Sequence, residues 1–135
     1  MIRKIAILGS TGSIGKITFD LIKKDPNNFE IVLLTTNTNI KELIKQTKQM
    51  KVKNLLVNDT KKFEELQKKF KNKDIKIFNN INNLKKIFKG KIDFTMSSIS
   101  GLSGLKPTLD SIEFSKTIAI ANKESLICAW NLIEK

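Results

Sequence analysis

Three glycines at positions 9, 12 and 15, with Ser10, Thr11 and Ser13 between them, carry the clearest chemistry in this 135-residue sequence. They follow the apolar run Ile5-Ala6-Ile7-Leu8, which reads as a buried parallel strand, and precede an amphipathic segment that reads as a helix. A strand, a glycine turn and a helix in that order present backbone N–H groups and the positive end of a helix dipole to an anion such as a nucleotide pyrophosphate. Gly9 suits the tight turn, Gly12 the close approach of backbone to phosphate, and Gly15 the packing of helix on sheet. The spacing is G-x-x-G-x-x-G, one position away from the commoner G-x-G-x-x-G.

A second constellation lies at Asn122-Lys123-Glu124-Ser125, after the apolar Ala119-Ile120-Ala121. An amide, an ammonium, a carboxylate and a hydroxyl stand together there. Lys123 suits an anionic substrate or a polarised carbonyl. The same residues also make an ordinary helix start, with Asn122 as N-cap and Glu124 favoured by the dipole. A third segment, Thr35-Thr36-Asn37-Thr38-Asn39, falls where NAD-selective folds place a carboxylate for the ribose 2′-hydroxyl. No acid stands here to repel a 2′-phosphate, and Asn37, Thr38 and Asn39 offer donors to one. NADP is therefore expected over NAD, although Asn and Thr are also common turn residues.

What is missing narrows the chemistry. The sequence has no histidine, which excludes a Ser-His-Asp triad, a Cys-His pair and histidine-ligated metal sites within this chain. Its single cysteine, Cys128, cannot form an internal disulfide, and with no leader peptide apparent a cytoplasmic protein is expected. No apolar run is long enough for a membrane span. Net charge is +12, but the cations are dispersed and all but Arg3 are lysine. Nucleic-acid readers favour arginine clusters, so phosphorylated metabolites are the expected partners and nucleic acid is not.

The elements that must hold these residues alternate. Strands are expected at Ile2–Leu8, Glu30–Thr36, Asn54–Val57, Lys76–Phe78, Ile92–Ser97 and Thr117–Ala121. Helices are expected at Ser13–Lys24, Ile40–Met50, from Asp59 or Thr60 to about Phe70, Asn80 to Phe88, Leu105–Phe114, and from Lys123 to the end. The first helix is expected to turn Ile14, Ile17, Leu21 and Ile22 inward. Continuous apolar strands between helices predict an α/β fold, a doubly wound, mostly parallel sheet with helices on both faces. Ligands of such sheets sit beyond the strands' carboxyl ends. The loops Gly9–Gly15, Thr35–Asn39, Ser97–Gly104 and Asn122–Ser125 should meet there.

Taken together, Ile7-Leu8-Gly9-Ser10-Thr11-Gly12-Ser13-Ile14-Gly15, Gly101-Leu102-Ser103-Gly104-Leu105-Lys106-Pro107-Thr108 and Ala121-Asn122-Lys123-Glu124-Ser125 resemble the 1-deoxy-D-xylulose 5-phosphate reductoisomerases in order and separation. The resemblance covers essentially the whole chain and implies that residues 1–135 are one NADPH-binding, Rossmann-like domain. It implies that Thr11, Gly12, Ser13 and Ile14 meet the pyrophosphate and adjacent ribose, and that Asn39, with Asn37 and Thr38, lies near the 2′-phosphate. Asn122 and Glu124 would meet the cofactor and Lys123 the substrate, 1-deoxy-D-xylulose 5-phosphate. Family members often carry Gly-Lys-Asn where Asn37-Thr38-Asn39 stands here, which removes one cation. The family's catalytic domain, with acidic ligands for Mg²⁺ or Mn²⁺, and its homodimer are also implied. No catalytic residue and no metal ligand is expected within this chain, so it should be inactive alone, as a fragment or truncated product. Two other readings remain: another NADP-dependent Rossmann oxidoreductase, such as one acting on a semialdehyde, or a stand-alone nucleotide- or nucleic-acid-binding module.

Overall fold

A computed structural model describes residues 1–134. Six strands form one all-parallel sheet: β1 (Arg3–Leu8), β2 (Phe29–Thr36), β3 (Asn54–Val57), β4 (Lys76–Phe78), β5 (Ile92–Ser97) and β6 (Ser115–Ile120). Their spatial order is β4-β3-β2-β1-β5-β6. The chain winds outward from β1 in one direction and then, from β5, in the other. The point of reversal therefore lies between β1 and β5, with Leu8 opposite Ser97. This is the doubly wound arrangement that the sequence predicts, and it opens a crevice beyond the carboxyl ends of those two strands.

Helices cover both faces. On one face α1 (Ser13–Lys23), α2 (Ile40–Met50) and α3 (Thr60–Lys69) pack Phe19, Ile22, Leu43 and Leu66 onto Ile5, Ile7 and Leu34. On the other, Leu84 of the short α4 (Leu84–Ile87) and Phe114, just past α5 (Leu105–Ile112), pack onto Ala6, Leu8 and Leu33. The last helix, α6 (Lys123–Ile133), follows β6 and packs against α5. Side chains of β1 alternate between the faces, so both layers hang on one strand with no solvated side. The caps agree with the sequence: Asp59 accepts the Lys62 N–H at 2.8 Å, and Pro107 sits in the first turn of α5, where its missing N–H costs nothing.

Several expectations are corrected. Ile14, Ile17 and Leu21 are 43%, 61% and 61% exposed; the inward residues of α1 are Gly15, Phe19 and Ile22. Gly15 sets this rotation. A Cβ there would lie 2.1 Å from the Gly9 carbonyl oxygen and 2.6 Å from Ser10 Cα, so only a glycine fits against the turn. β6 begins two residues earlier than expected because Ser115 pairs with Ile92, and Lys116 reaches Asp93 at 2.7 Å. The helix expected over 80–88 is a 3₁₀ turn, Ile81–Asn83, followed by one turn of α-helix. The last helix, expected to run to the end, is described to Ile133, and Lys135 lies outside the described residues. α6 is apolar on most sides yet leaves Ile127, Trp130 and Leu132 exposed. No helix among the described residues is long and apolar enough to cross a membrane.

The crowding at Gly15 yields a stability prediction. Gly15→Ala should destabilise the fold by about 3 kcal/mol or more, since the new methyl meets backbone that cannot move aside. Gly90→Ala, with nothing within 4 Å of its Cβ, should change stability little. Denaturant unfolding of the two variants beside the unaltered chain checks both outcomes.

Candidate functional site: a cleft at the carboxyl edge of the sheet

The turn after β1 is made by Gly9, whose φ of +75° puts it in the left-handed region that a side chain disfavours. Its surroundings hold it from several directions. The Gly9 N–H donates to Thr35 Oγ1 at 2.9 Å, and the Gly9 carbonyl accepts from the Gly12 N–H and from Ser98 Oγ, each at 3.2 Å. The Ser10 N–H donates to the Thr35 carbonyl at 2.9 Å, and the Ser10 carbonyl accepts from the Gln46 amide, also at 2.9 Å. Thr11 and Thr36 share a hydroxyl–hydroxyl bond of 2.6 Å.

The carbonyls of Gly9 and Ser10 are thus satisfied inside the protein. Among the described residues no acceptor in the chain meets the N–H groups of Thr11, Ser13 or Ile14. Those of Ser13 and Ile14 are free because they begin α1, whose first turn carries no acidic side chain. A row of unpaired donors at a helix N-terminus is an anion cradle. Gly12 stands open within it: a Cβ there would meet only the Gly9 carbonyl oxygen, at an ordinary 3.6 Å.

The end of β2 is tied to this turn through Thr35 and Thr36, and the loop that follows carries Asn37, Thr38 and Asn39. Asn39 caps α2 by accepting the Glu42 N–H at 3.2 Å. The cleft between the glycine turn and this loop has a volume of about 280 Å³ and is closed on its third side by Ser98, Ile99 and Ser100. A second cleft of about 260 Å³ lies on the far side of the same loop, between Ile14 and the segment from Ala121 to Glu124. The structure therefore brings all four expected loops to one edge of the sheet. The two clefts place Thr11, Gly12 and Asn37–Asn39 on one side of Ile99, and Ile14, Asn122, Lys123 and Glu124 on the other.

Asn122 is 4% exposed, and its side chain is engaged within the chain. Its amide donates to the carbonyls of Ile99 and Gly101, both at 2.6 Å, and its Oδ1 accepts the Ser125 N–H at 3.2 Å. It caps α6 and also ties down the loop that separates the two clefts. Lys123, beside it, is exposed. Three carboxyls, Glu65, Asp74 and Asp93, are held below their usual range, each first by a hydrogen bond from a lysine: Lys62, Lys53 and Lys116 respectively. None of the three lines either cleft. Among the described residues no three Asp, Glu or Cys side chains come together as a metal site.

Sequence reasoning missed three parts of this edge. They are the Ser98 hydroxyl, the Gln46 amide, and the hydroxyls of Thr35 and Thr36, which all hold the glycine turn. The signal for Gln46 was available: it lies on the inward face of α2, three residues past Leu43, where an apolar residue is the rule.

Fold and site together define a doubly wound, Rossmann-like domain, with unpaired backbone N–H groups at the point where the winding reverses. Over residues 5–130 the sequence matches the 1-deoxy-D-xylulose 5-phosphate reductoisomerases, and the chain belongs to that family. It is 58% identical to the reductoisomerase of Pelagibacter ubique over 135 residues, which are 98% of this chain and 35% of that protein. It is 40% identical to that of a Thermoanaerobacter species over 131 residues, 97% of this chain and 34% of that protein. The chain thus spans about a third of the length of the curated relatives it matches. The Zymomonas mobilis reductoisomerase, solved in complex with NADPH, superposes with a TM-score of 0.88 at 32% identity, over 99% of this chain and 36% of that one. A second reductoisomerase, solved with NADPH, fosmidomycin and magnesium, superposes at 0.87 with 28% identity, over 98% of this chain and 34% of that one.

Removing the Asn122 side chain should untie the loop between the clefts. Asn122→Ala leaves the part-buried Ile99 carbonyl and the Ser125 N–H without partners, and leaves the Gly101 carbonyl with only the Gly104 N–H, so it should cost roughly 1–3 kcal/mol of stability. Amide exchange over residues 98–104 should quicken first, which hydrogen-exchange mass spectrometry reads directly.

Proposed function

We propose that this chain is the NADPH-binding part of a reductoisomerase that rearranges and reduces 1-deoxy-D-xylulose 5-phosphate to 2-C-methyl-D-erythritol 4-phosphate, within non-mevalonate isoprenoid biosynthesis. The observation that carries the proposal is the set of satisfied carbonyls at Gly9 and Ser10 and unpaired N–H groups at Thr11, Ser13 and Ile14, in a domain that superposes on a relative solved with NADPH. NADPH, when bound, supplies hydride. The chain's own residues bind and orient it.

In this reading the N–H groups of Thr11, Ser13 and Ile14 hold the pyrophosphate, with Gly12 leaving room for its approach. Asn37, Thr38 and Asn39 hold the 2′-phosphate with neutral donors, in place of the lysine frequent in the family. Asn122 fixes the loop between the clefts, and Glu124 borders the cofactor beside it. The exposed Lys123 meets the anionic sugar-phosphate substrate, and the net charge of +12 draws both phosphorylated ligands. The described residues do not fit a divalent metal. Its ligands are assigned to the part of the family's length that this chain does not span, as are the catalytic residues. Residues 1–135 form one domain in this account, the complete protein is a homodimer, and the compartment is the cytoplasm, where a lone exposed thiol such as Cys128 stays reduced.

Calorimetric titration tests the proposal. NADPH should bind about tenfold or more tightly than NADH. Gly12→Val, whose Cβ the fold accommodates, should weaken NADPH binding by at least about tenfold with thermal unfolding nearly unchanged. Thr38→Lys should widen the preference for NADPH by adding a cation. The 135-residue chain alone should not turn over 1-deoxy-D-xylulose 5-phosphate with Mg²⁺ or Mn²⁺. NADPH consumption that scales with its concentration, or a preference for NADH, would contradict the reading.

A further inference from the structure

We infer that Gln46 is a positioning residue for the phosphate cradle: its buried amide sets which way the Ser10–Thr11 peptide faces, so that an N–H and not a carbonyl is presented to the pyrophosphate. The inference rests on the NADPH-binding reading above.

The geometry begins with burial. Gln46 is 1% exposed on the inward side of α2, and its Nε2 donates to the Ser10 carbonyl at 2.9 Å, thirty-six positions away in sequence. In a trans peptide the carbonyl of one residue and the N–H of the next point in opposite directions. Drawing the Ser10 carbonyl inward to Gln46 therefore turns the Thr11 N–H outward, toward the cleft that Thr11 lines. Other bonds hold the preceding peptide, through the Ser10 N–H and the Gly9 carbonyl. Among the described residues, only Gln46 is bonded to the Ser10 carbonyl. In the flipped orientation a carbonyl dipole would face the phosphate, and attraction would become repulsion.

The side chain's other end strengthens the argument. Gln46 Oε1 is buried and has no partner in the chain. A half-satisfied buried amide is costly, and a methionine of similar volume would occupy its place without that cost. What the amide alone provides is the donor to Ser10.

Two variants of the 135-residue chain test this by calorimetry. Gln46→Met keeps the volume and removes the donor. It should weaken NADPH binding about tenfold at every pH while leaving adenosine 2′-monophosphate, which has no pyrophosphate, bound as before. Gln46→Glu can donate to the Ser10 carbonyl only while protonated; burial raises its pKa and is opposed by Lys16, Lys23 and Lys45, which line the same cleft with Asp20 and Glu42. Its NADPH affinity, relative to the unaltered chain at the same pH, should be near normal in acid and fall by about tenfold as the carboxyl ionises. A merely structural role would weaken both ligands together. That outcome, or a folded Gln46→Met chain that binds NADPH normally, overturns the inference. If the methionine variant does not fold, the pH series of the glutamate variant decides alone, and a flat ratio overturns the inference. An unaltered chain that binds no NADPH overturns the underlying reading and this one with it.

Discussion

Everything at the carboxyl edge depends on how closely the start of α1 approaches the end of β1. The Gly9 carbonyl lies where a Cβ of residue 15 would be, 2.1 Å from its ideal position, so backbone packs on backbone with no side chain between. That contact has two consequences. It requires glycine at both ends, at one for the left-handed φ and at the other for space. It also turns the loop's carbonyls into the protein, where Gly12, Ser98 and Gln46 satisfy them, and leaves the first N–H groups of the helix facing out. The cradle is thus a by-product of packing a helix directly onto the strand that precedes it.

The same contact sets the rotation of α1. Two apolar stripes compete on that helix: Ile14, Ile17 and Leu21 at one, Gly15, Phe19 and Ile22 at the other. Hydrophobicity alone favours the first, and the structure buries the second, because the residue that must face the turn is Gly15. The requirement at Gly15 is legible in the sequence; the rotation it imposes on the rest of the helix depends on the turn it packs against, which only the structure shows. The exposed stripe begins at Ile14, which also lines the cleft beside Lys123.

The strands were legible because parallel strands covered on both faces are continuous apolar runs, as in Ile31-Val32-Leu33-Leu34. The place of the site followed from topology, since all four loops leave the carboxyl ends of strands. β6 was harder. It lies at the sheet's edge, so its start is set by backbone pairing at Ser115 and by the Lys116–Asp93 ion pair, and hydrophobicity gives no sign of it. The hydrogen bond that Thr35 accepts from Gly9 and the partner of Gln46 were not legible either. These bonds join residues 26 and 36 positions apart; a threonine in a strand looks locally like any other, and a glutamine on the inward face of a helix signals a buried polar role without naming its partner. Asn122 was read both as a cap and as a site residue. The structure gives its side chain the first role, and with it control of the loop between the two clefts.

The central claim is that the outward N–H groups after β1 form the phosphate site. It is tested most directly by following the backbone amide resonances of the ¹⁵N-labelled chain during titration with NADPH. The account predicts that the amides of Thr11, Ser13 and Ile14 shift most, with Asn37, Thr38 and Asn39 next. It would be contradicted if those amides stayed still while the shifts gathered at the opposite edge of the sheet, around the cleft lined by Lys4, Lys89 and Lys91.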